Sequence, residues 1–369
     1  MTPRTVVHIV EDLGIGGLER IALTLIRHLD PRGWRPHLVC AAGGGLLVPE
    51  AERGGIPVEV LDLHDYYPRS IARLARRLRA LRPAVVHTHG HFAGVLGRAA
   101  AWWAGVPAIV HHLHTTDTTL RPRHERLERW LGTITARIVA CSQSVADHAS
   151  LIVGLDPAGV TVVANGIDPP PAVSRDEARA AIDNPDSPVI GCVGALAPHK
   201  GQTVLLQAVK RLLSSVPRGT VVLVGDGSER DRIETLAGSV PGWQVRCLGT
   251  RPDARRLLPA FDVAVVPSVD REGFGLAALE SMDAGCPVVA SRLGGLPEII
   301  QDGRTGLLVR PGDAGELADA IASILAWPDR GRRIGLAARQ TVEASYRATR
   351  MARRILTIYE EALDARLAA

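Results

Sequence analysis

Short runs of β-branched and apolar residues alternate with longer stretches of helical periodicity along the whole chain. The runs TVVHIV, RPHLVCAA, VEVLDL, AVVHTH, AIVHHLH, RIVACS and VTVVANG predict a first series of strands, each closing on polar or glycine-rich residues. Between them, LERIALTLIRHL and SIARLARRLRALR repeat apolar residues three and four apart, the pattern of a helix packed on one face. A second series starts at PVIGCVGAL and continues through TVVLVGDG, WQVRCLGT, VAVVPS, PVVAS and GLLVR. Strands alternating with helices predict parallel sheets covered on both faces. The expected class is α/β, with two doubly wound parallel sheets. The polar, Pro-rich stretch NGIDPPPAVSRDEARAAIDNPDSP separates the two series, and Pro169, Pro170 and Pro171 stop regular structure there. The expected domains are residues 1–167 and 168–345, followed by one amphipathic helix over 346–369. In open α/β sheets ligands bind beyond the carboxyl ends of the strands, so the chemistry is expected in post-strand loops facing a cleft.

Composition narrows the class. A chain of 369 residues is too long for one ordinary core. Aromatics at 4% leave little for stacking bases, so no nucleic-acid partner is expected. There is no run of about 18 apolar residues, hence no expected membrane span. The start, MTPRTVVHIVEDLG, lacks the features of a secretory signal. The five cysteines are scattered without a CxxC, which fits a reduced, cytoplasmic protein. The net charge of +4 sits in the first half, where residues 1–167 hold 18 Arg against 14 acids. Within it, PRSIARLARRLRALRP sets Ile71, Leu74, Leu78 and Leu81 on one helical stripe among six arginines. Two readings fit this helix: a stripe packed on the first sheet, or a face lying on an anionic membrane.

The loop EDLGIGGLER follows the first predicted strand and opens a helix. A dinucleotide fingerprint would need a third glycine where Glu19 stands, and an acid at the end of the second strand, which reads LVCAAGGG. That reading fails. Gly16 and Gly17 still let backbone N–H groups approach an anion at a helix start. In IVHHLHTTD, strand alternation puts His112 and His114 on one face and His111 on the other. No nearby third ligand has zinc spacing, so no metal is expected.

The most informative stretch is SVDREGFGLAALESMDAGCPVVASRLGGLPEIIQDGRTGLLV. Glu272 and Glu280 flank a glycine-rich turn, Gly273-Phe274-Gly275, and the start of a helix. Carboxylates so placed accept strong hydrogen bonds from sugar hydroxyls. Read in isolation, they are better explained as a helix-start carboxylate and an exposed helix residue.

They are not isolated. This segment, with VGALAPHKG (193–201), LVGDGSER (223–230), NGID (165–168), VVHTHG (85–90) and the glycine loop, resembles in order the retaining glycosyltransferase family 4 (GT4), which has the GT-B fold. The resemblance implies two Rossmann-like domains, with the C-terminal helix crossing back to the N-terminal one. It implies transfer of a sugar from a UDP- or GDP-sugar co-substrate to an acceptor hydroxyl, with retention and without metal or other cofactor. His114, Lys200 and Glu272 would be catalytic: Lys200 on the diphosphate, His114 and Glu272 on the sugar. Gly16, Gly17, Gly273, Phe274, Gly275, Leu276, Glu280, Gly294 and Gly295 would bind the donor, Glu280 through the ribose. Glu298 matches a helix start near the phosphate, and His87 and His89 the acceptor side. The family arginine five positions before Lys200 is Ala195 here. The implied acceptor is a sugar, a lipid-linked glycan or a small molecule in glycoconjugate synthesis. The implied location is cytoplasmic, with peripheral contact at the inner membrane face. A nucleotide-sugar epimerase and a non-catalytic nucleotide-sugar scaffold are the alternatives, and Ala195 is the feature that speaks for the scaffold.

Overall fold

The computed structural model describes residues 3–116, 122–238 and 240–367, and the chain forms two compact units. One comprises residues 1–168 with 347–369, the other 169–346.

The first unit is a seven-stranded parallel sheet of β1 (Arg4–Val10), β2 (Trp34–Cys40), β3 (Val58–Val60), β4 (Val85–His89), β5 (Ala108–Leu113), β6 (Arg137–Ala140) and β7 (Val160–Val162). Its order is β3-β2-β1-β4-β5-β6-β7. The order reverses between β1 and β4, so the ends of those two strands and of β5 frame the switch point where such sheets bind ligands. The helix Pro68–Leu81 buries Leu74 and Leu78 completely against Val7, Ile9, Val39 and Val86, with Ile71 and Leu81 packed at the margin. Each buried leucine contributes roughly 1.5–3 kcal/mol. The leucine stripe therefore belongs to the core, which decides between its two sequence readings. The arginines face outward, and Arg69 and Arg77 pair with Asp65 and Glu59. The last helix, Ala348–Leu367, belongs to this unit and buries Ile355, Ile358 and Tyr359.

The second unit is a six-stranded parallel sheet of β8 (Val189–Val193), β9 (Gly219–Val224), β10 (Trp243–Cys247), β11 (Val263–Val266), β12 (Val288–Ser291) and β13 (Leu307–Val309), in the order β10-β9-β8-β11-β12-β13. Its switch point lies between β8 and β11. Ile190, Val221, Val263, Val265 and Val289 carry its core on the sheet, and Leu205, Val209 and Ile321 cover them. No described helix is long and apolar enough to cross a membrane.

Candidate active site

In the second unit, two loops meet beyond the switch point. β8 runs out through Gly194 and Ala195 into a single turn, Pro198–Lys200. β11 runs out through Ser268 to Glu272. The Val269 N–H donates to the His199 carbonyl at 2.9 Å and joins the loops. Lys200 Nζ then donates to Glu272 Oε2 at 2.9 Å, and Ser268 Oγ donates to the same oxygen at 2.8 Å. Glu272 is nearly buried while Lys200 keeps a partly open face. A cation and a carboxylate 72 residues apart are thus held ready at the sheet's ligand-binding edge.

The glycines beside them have a packing reason. Gly294 has φ +56°, and a Cβ there would lie 1.8 Å from the Glu272 carbonyl oxygen. The Gly295 N–H donates to that same carbonyl at 3.1 Å. The Gly294–Gly295 turn therefore clamps the backbone of Glu272–Phe274. Gly275 takes φ +93° and opens the helix Leu276–Asp283. Phe274 turns its ring into the protein, edge-on to Tyr346, so it leaves only its backbone with Gly273 for a ligand. Leu276 is half-buried in the helix's first turn. Glu280, on the same helix, has the Arg255 guanidinium 3.7 Å away, and Arg255 reaches Asp283 at 3.3 Å. Glu298 is exposed, and its carbonyl accepts from the Tyr346 hydroxyl.

Sequence reasoning missed Ser268, Arg255 and Arg271. Burial lowers the His199 pKa, and the charges of Lys200 and Arg271 lower it further. Arg271 therefore adds positive charge near His199, in the loop that carries Glu272. Its position immediately before Glu272 is the signal that could have singled it out.

In the first unit, Gly16 is extended and precedes the helix Gly17–Arg27. The Glu19 carboxylate folds back over it, 2.2 Å from where a Cβ at Gly16 would stand. Burial, against the pull of a backbone hydrogen bond and helped by the nearby charges of Asp12 and Glu11, raises the Glu19 pKa to about 7. Next to this loop the sheet carries a ladder of histidines. His8 pairs in register with His87, and His89 with His112, across three adjacent parallel strands. With His114 they form a stack, the His112 and His114 rings 4.1 Å apart and the His87 and His89 rings 4.3 Å apart. His114 Nε2 meets His89 Nδ1 at 3.1 Å, and His89 Nε2 meets His8 Nδ1 at 3.1 Å. The Tyr359 hydroxyl bonds His87 Nδ1 at 2.6 Å. His111, on the opposite face, bonds Thr88 Oγ1 at 2.9 Å. Burial holds His8 and His114 down to a pKa of about 3 and His87, His89, His111 and His112 well below the ordinary value. All six rings are neutral at pH 7. Thus the fold places Lys200, Glu272, Gly273–Leu276, Glu280, Gly294 and Gly295 in one unit, and Gly16, Gly17 and His114 in the other.

Two family models match the chain: glycosyltransferase family 4 over residues 15–170 and glycosyl transferases group 1 over residues 187–326. The chain is 31% identical to a glycogen synthase of Mycobacterium tuberculosis over 280 residues, which is 73% of this chain and 66% of that protein's length. It is 30% identical over 357 residues to D-inositol 3-phosphate glycosyltransferase 2 of Catenulispora acidiphila, covering 85% of this chain and 83% of that one. Among solved structures, HepE of Anabaena, crystallised with UDP and glucose, superposes with a TM-score of 0.83 at 23% identity, over 96% of this chain and 98% of that one. The fold is therefore GT-B, and the chain belongs to the family 4, group 1 glycosyltransferases.

Proposed function

We propose that the protein transfers a sugar, with retention, from a nucleotide-diphosphate donor to an acceptor hydroxyl. The observation that carries the reading is the Lys200–Glu272 pair at the switch point of the second sheet. Lys200 turns from Glu272 to the leaving diphosphate and offsets its growing charge. Glu272, released, accepts hydrogen bonds from the sugar hydroxyls and does not attack the anomeric carbon. Glu280 holds the ribose, and the backbone of Gly273–Leu276 lies against the sugar. Arg271 supplies the positive charge that Ala195 leaves out. His114 offers the sugar its Nδ1, the ring nitrogen not engaged by His89. The departing phosphate takes the acceptor's proton, so these side chains position and stabilise rather than form a covalent intermediate. The transfer uses no metal ion. The co-crystallised UDP of HepE supports a uridine donor, and the similarity to an inositol phosphate glycosyltransferase supports a small hydroxylated acceptor.

The test is a thermal-shift panel of UDP- and GDP-sugars with Glu280→Ala alongside. A donor raises the wild-type midpoint in proportion to the logarithm of its concentration, and the variant loses the shift. Single-turnover hydrolysis of that donor then separates an enzyme from a scaffold. A folded protein that no nucleotide sugar stabilises would remove the reading.

A further inference from the structure

The histidine ladder has more ring nitrogens than partners. His112 Nδ1 and Nε2, His114 Nδ1 and His87 Nε2 are buried without a hydrogen-bond partner among the described residues. Buried polar atoms are almost always satisfied, so four orphans in one stack call for a ligand. Among the described residues, two trios present one ring nitrogen each within 4.8 Å of one another: His8, His87 and His89, and His89, His112 and His114. All three members of the first are buried, whereas the second ends at His114, the one ring of the ladder that is only half-buried.

The geometry points to a divalent transition-metal site of the zinc class at His89, His112 and His114. Zinc–nitrogen bonds of about 2.0–2.1 Å place tetrahedral ligand atoms about 3.3 Å apart. His89 Nδ1 and His114 Nε2 already stand at 3.1 Å. His112 has both nitrogens to offer, so it completes the trio without breaking any bond recorded for its side chain. Three imidazoles with no carboxylate in the trio favour zinc, copper or nickel over magnesium or calcium. The rings are neutral at pH 7, the state that ligates. On loading, the proton shared by His89 and His114 moves to His114 Nδ1. The ion then holds His114 through Nε2 and fixes the ring as its Nδ1–H tautomer, which turns the nitrogen offered to the sugar from an acceptor into a donor. The site is a switch on the transfer rather than a cofactor site, and only this last step rests on the transferase reading.

The experiment is titration of chelator-treated full-length protein with Co2+ and Zn2+, read by the visible absorption of tetrahedral cobalt and by calorimetry. One equivalent per chain binds, and His112→Gln and His114→Gln each weaken it at least tenfold. His8→Gln leaves affinity within threefold. Far-ultraviolet dichroism at pH 7.5 verifies that each variant is folded. Absence of tetrahedral cobalt absorption in the wild type would overturn the site, as would affinity unchanged in both folded site variants, or lost only in His8→Gln. In parallel, Zn2+ at saturating concentration suppresses single-turnover donor hydrolysis at least tenfold. Zinc bound without suppression would overturn the switch while leaving the site intact. Failure of all donor hydrolysis without zinc would count against the transferase reading alone.

Discussion

Acidification should unfold the first unit before the second, because six neutral histidines are buried in it. The rings of His8, His87, His89, His111, His112 and His114 are held below the ordinary value of 6.5 by desolvation. In the unfolded chain they titrate normally. The stability they contribute is therefore complete above pH 6.5 and lost as the pH falls below it. At pH 5.5 each unfolded histidine binds about 0.9 proton that the folded one does not, or about 5.5 protons for six. Glu19 opposes them. Its folded pKa is raised to about 7, so unfolding at pH 5.5 releases about 0.9 proton from it. The net uptake is about 4.5 protons, a slope near 6 kcal/mol per pH unit. Integrated from pH 7.5 to 5.5, the first unit loses up to about 6 kcal/mol, comparable with the whole stability of an ordinary domain. Urea titrations at pH 7.5, 6.5 and 5.5 give the free energies, and hydrogen exchange read by mass spectrometry assigns them to strands. β1, β4 and β5 should lose protection while β8, β9 and β11 keep it. A first-unit stability that changes by less than about 1.4 kcal/mol over that range, the value of one proton, would refute the reasoning.

Three further outcomes are expected. Gly294→Ala should cost at least about 2 kcal/mol by denaturant titration and abolish donor binding, since a side chain there meets the Glu272 carbonyl and a left-handed backbone; Gly16→Ala, which only displaces the Glu19 carboxylate, should cost under about 1 kcal/mol, and equal costs would contradict the packing argument. Glu19→Gln should stabilise the first unit, by an advantage that grows by up to about 1 kcal/mol between pH 6 and 8, because a raised carboxylate pKa makes the folded state pay as pH rises through 7; a pH-independent difference would show the group to be solvated. Arg271→Ala should weaken donor binding about tenfold, and Ala195→Arg in that background should restore it; an unchanged dissociation constant for Arg271→Ala would leave the missing family arginine without a substitute.

Both sheets were legible because the chain writes them in two periods, about two in the strands and 3.6 in the helices. The hydrophobic stripe of the helix Pro68–Leu81 fitted a core better than a membrane, and its burial places it in the core. The Lys200–Glu272 contact could not have come from spacing, since 72 residues separate its partners. It was legible through the order of motifs alone. The resemblance implies donor binding for Gly294 and Gly295, yet their immediate task is to let one turn lie on another turn's backbone.

The histidine ladder shows most clearly what a linear reading loses. Searching outward from His112 and His114 finds no third ligand at zinc spacing, because the missing nitrogen comes from β4, which is laid beside β5 by a parallel crossover. The signal was present in another form. VVHTH and HHLH each repeat histidine every second residue, so each sets two rings on one face of its strand. In a parallel sheet built from successive strand–helix units, consecutive strands tend to be neighbours, so two such repeats on β4 and β5 predict a four-ring stack. His8 joins because the reversal lays β1 beside β4, where it stands in register with His87. The pattern that makes a sheet legible thus also makes its buried clusters legible, provided that periodicity is carried across strands as well as along them.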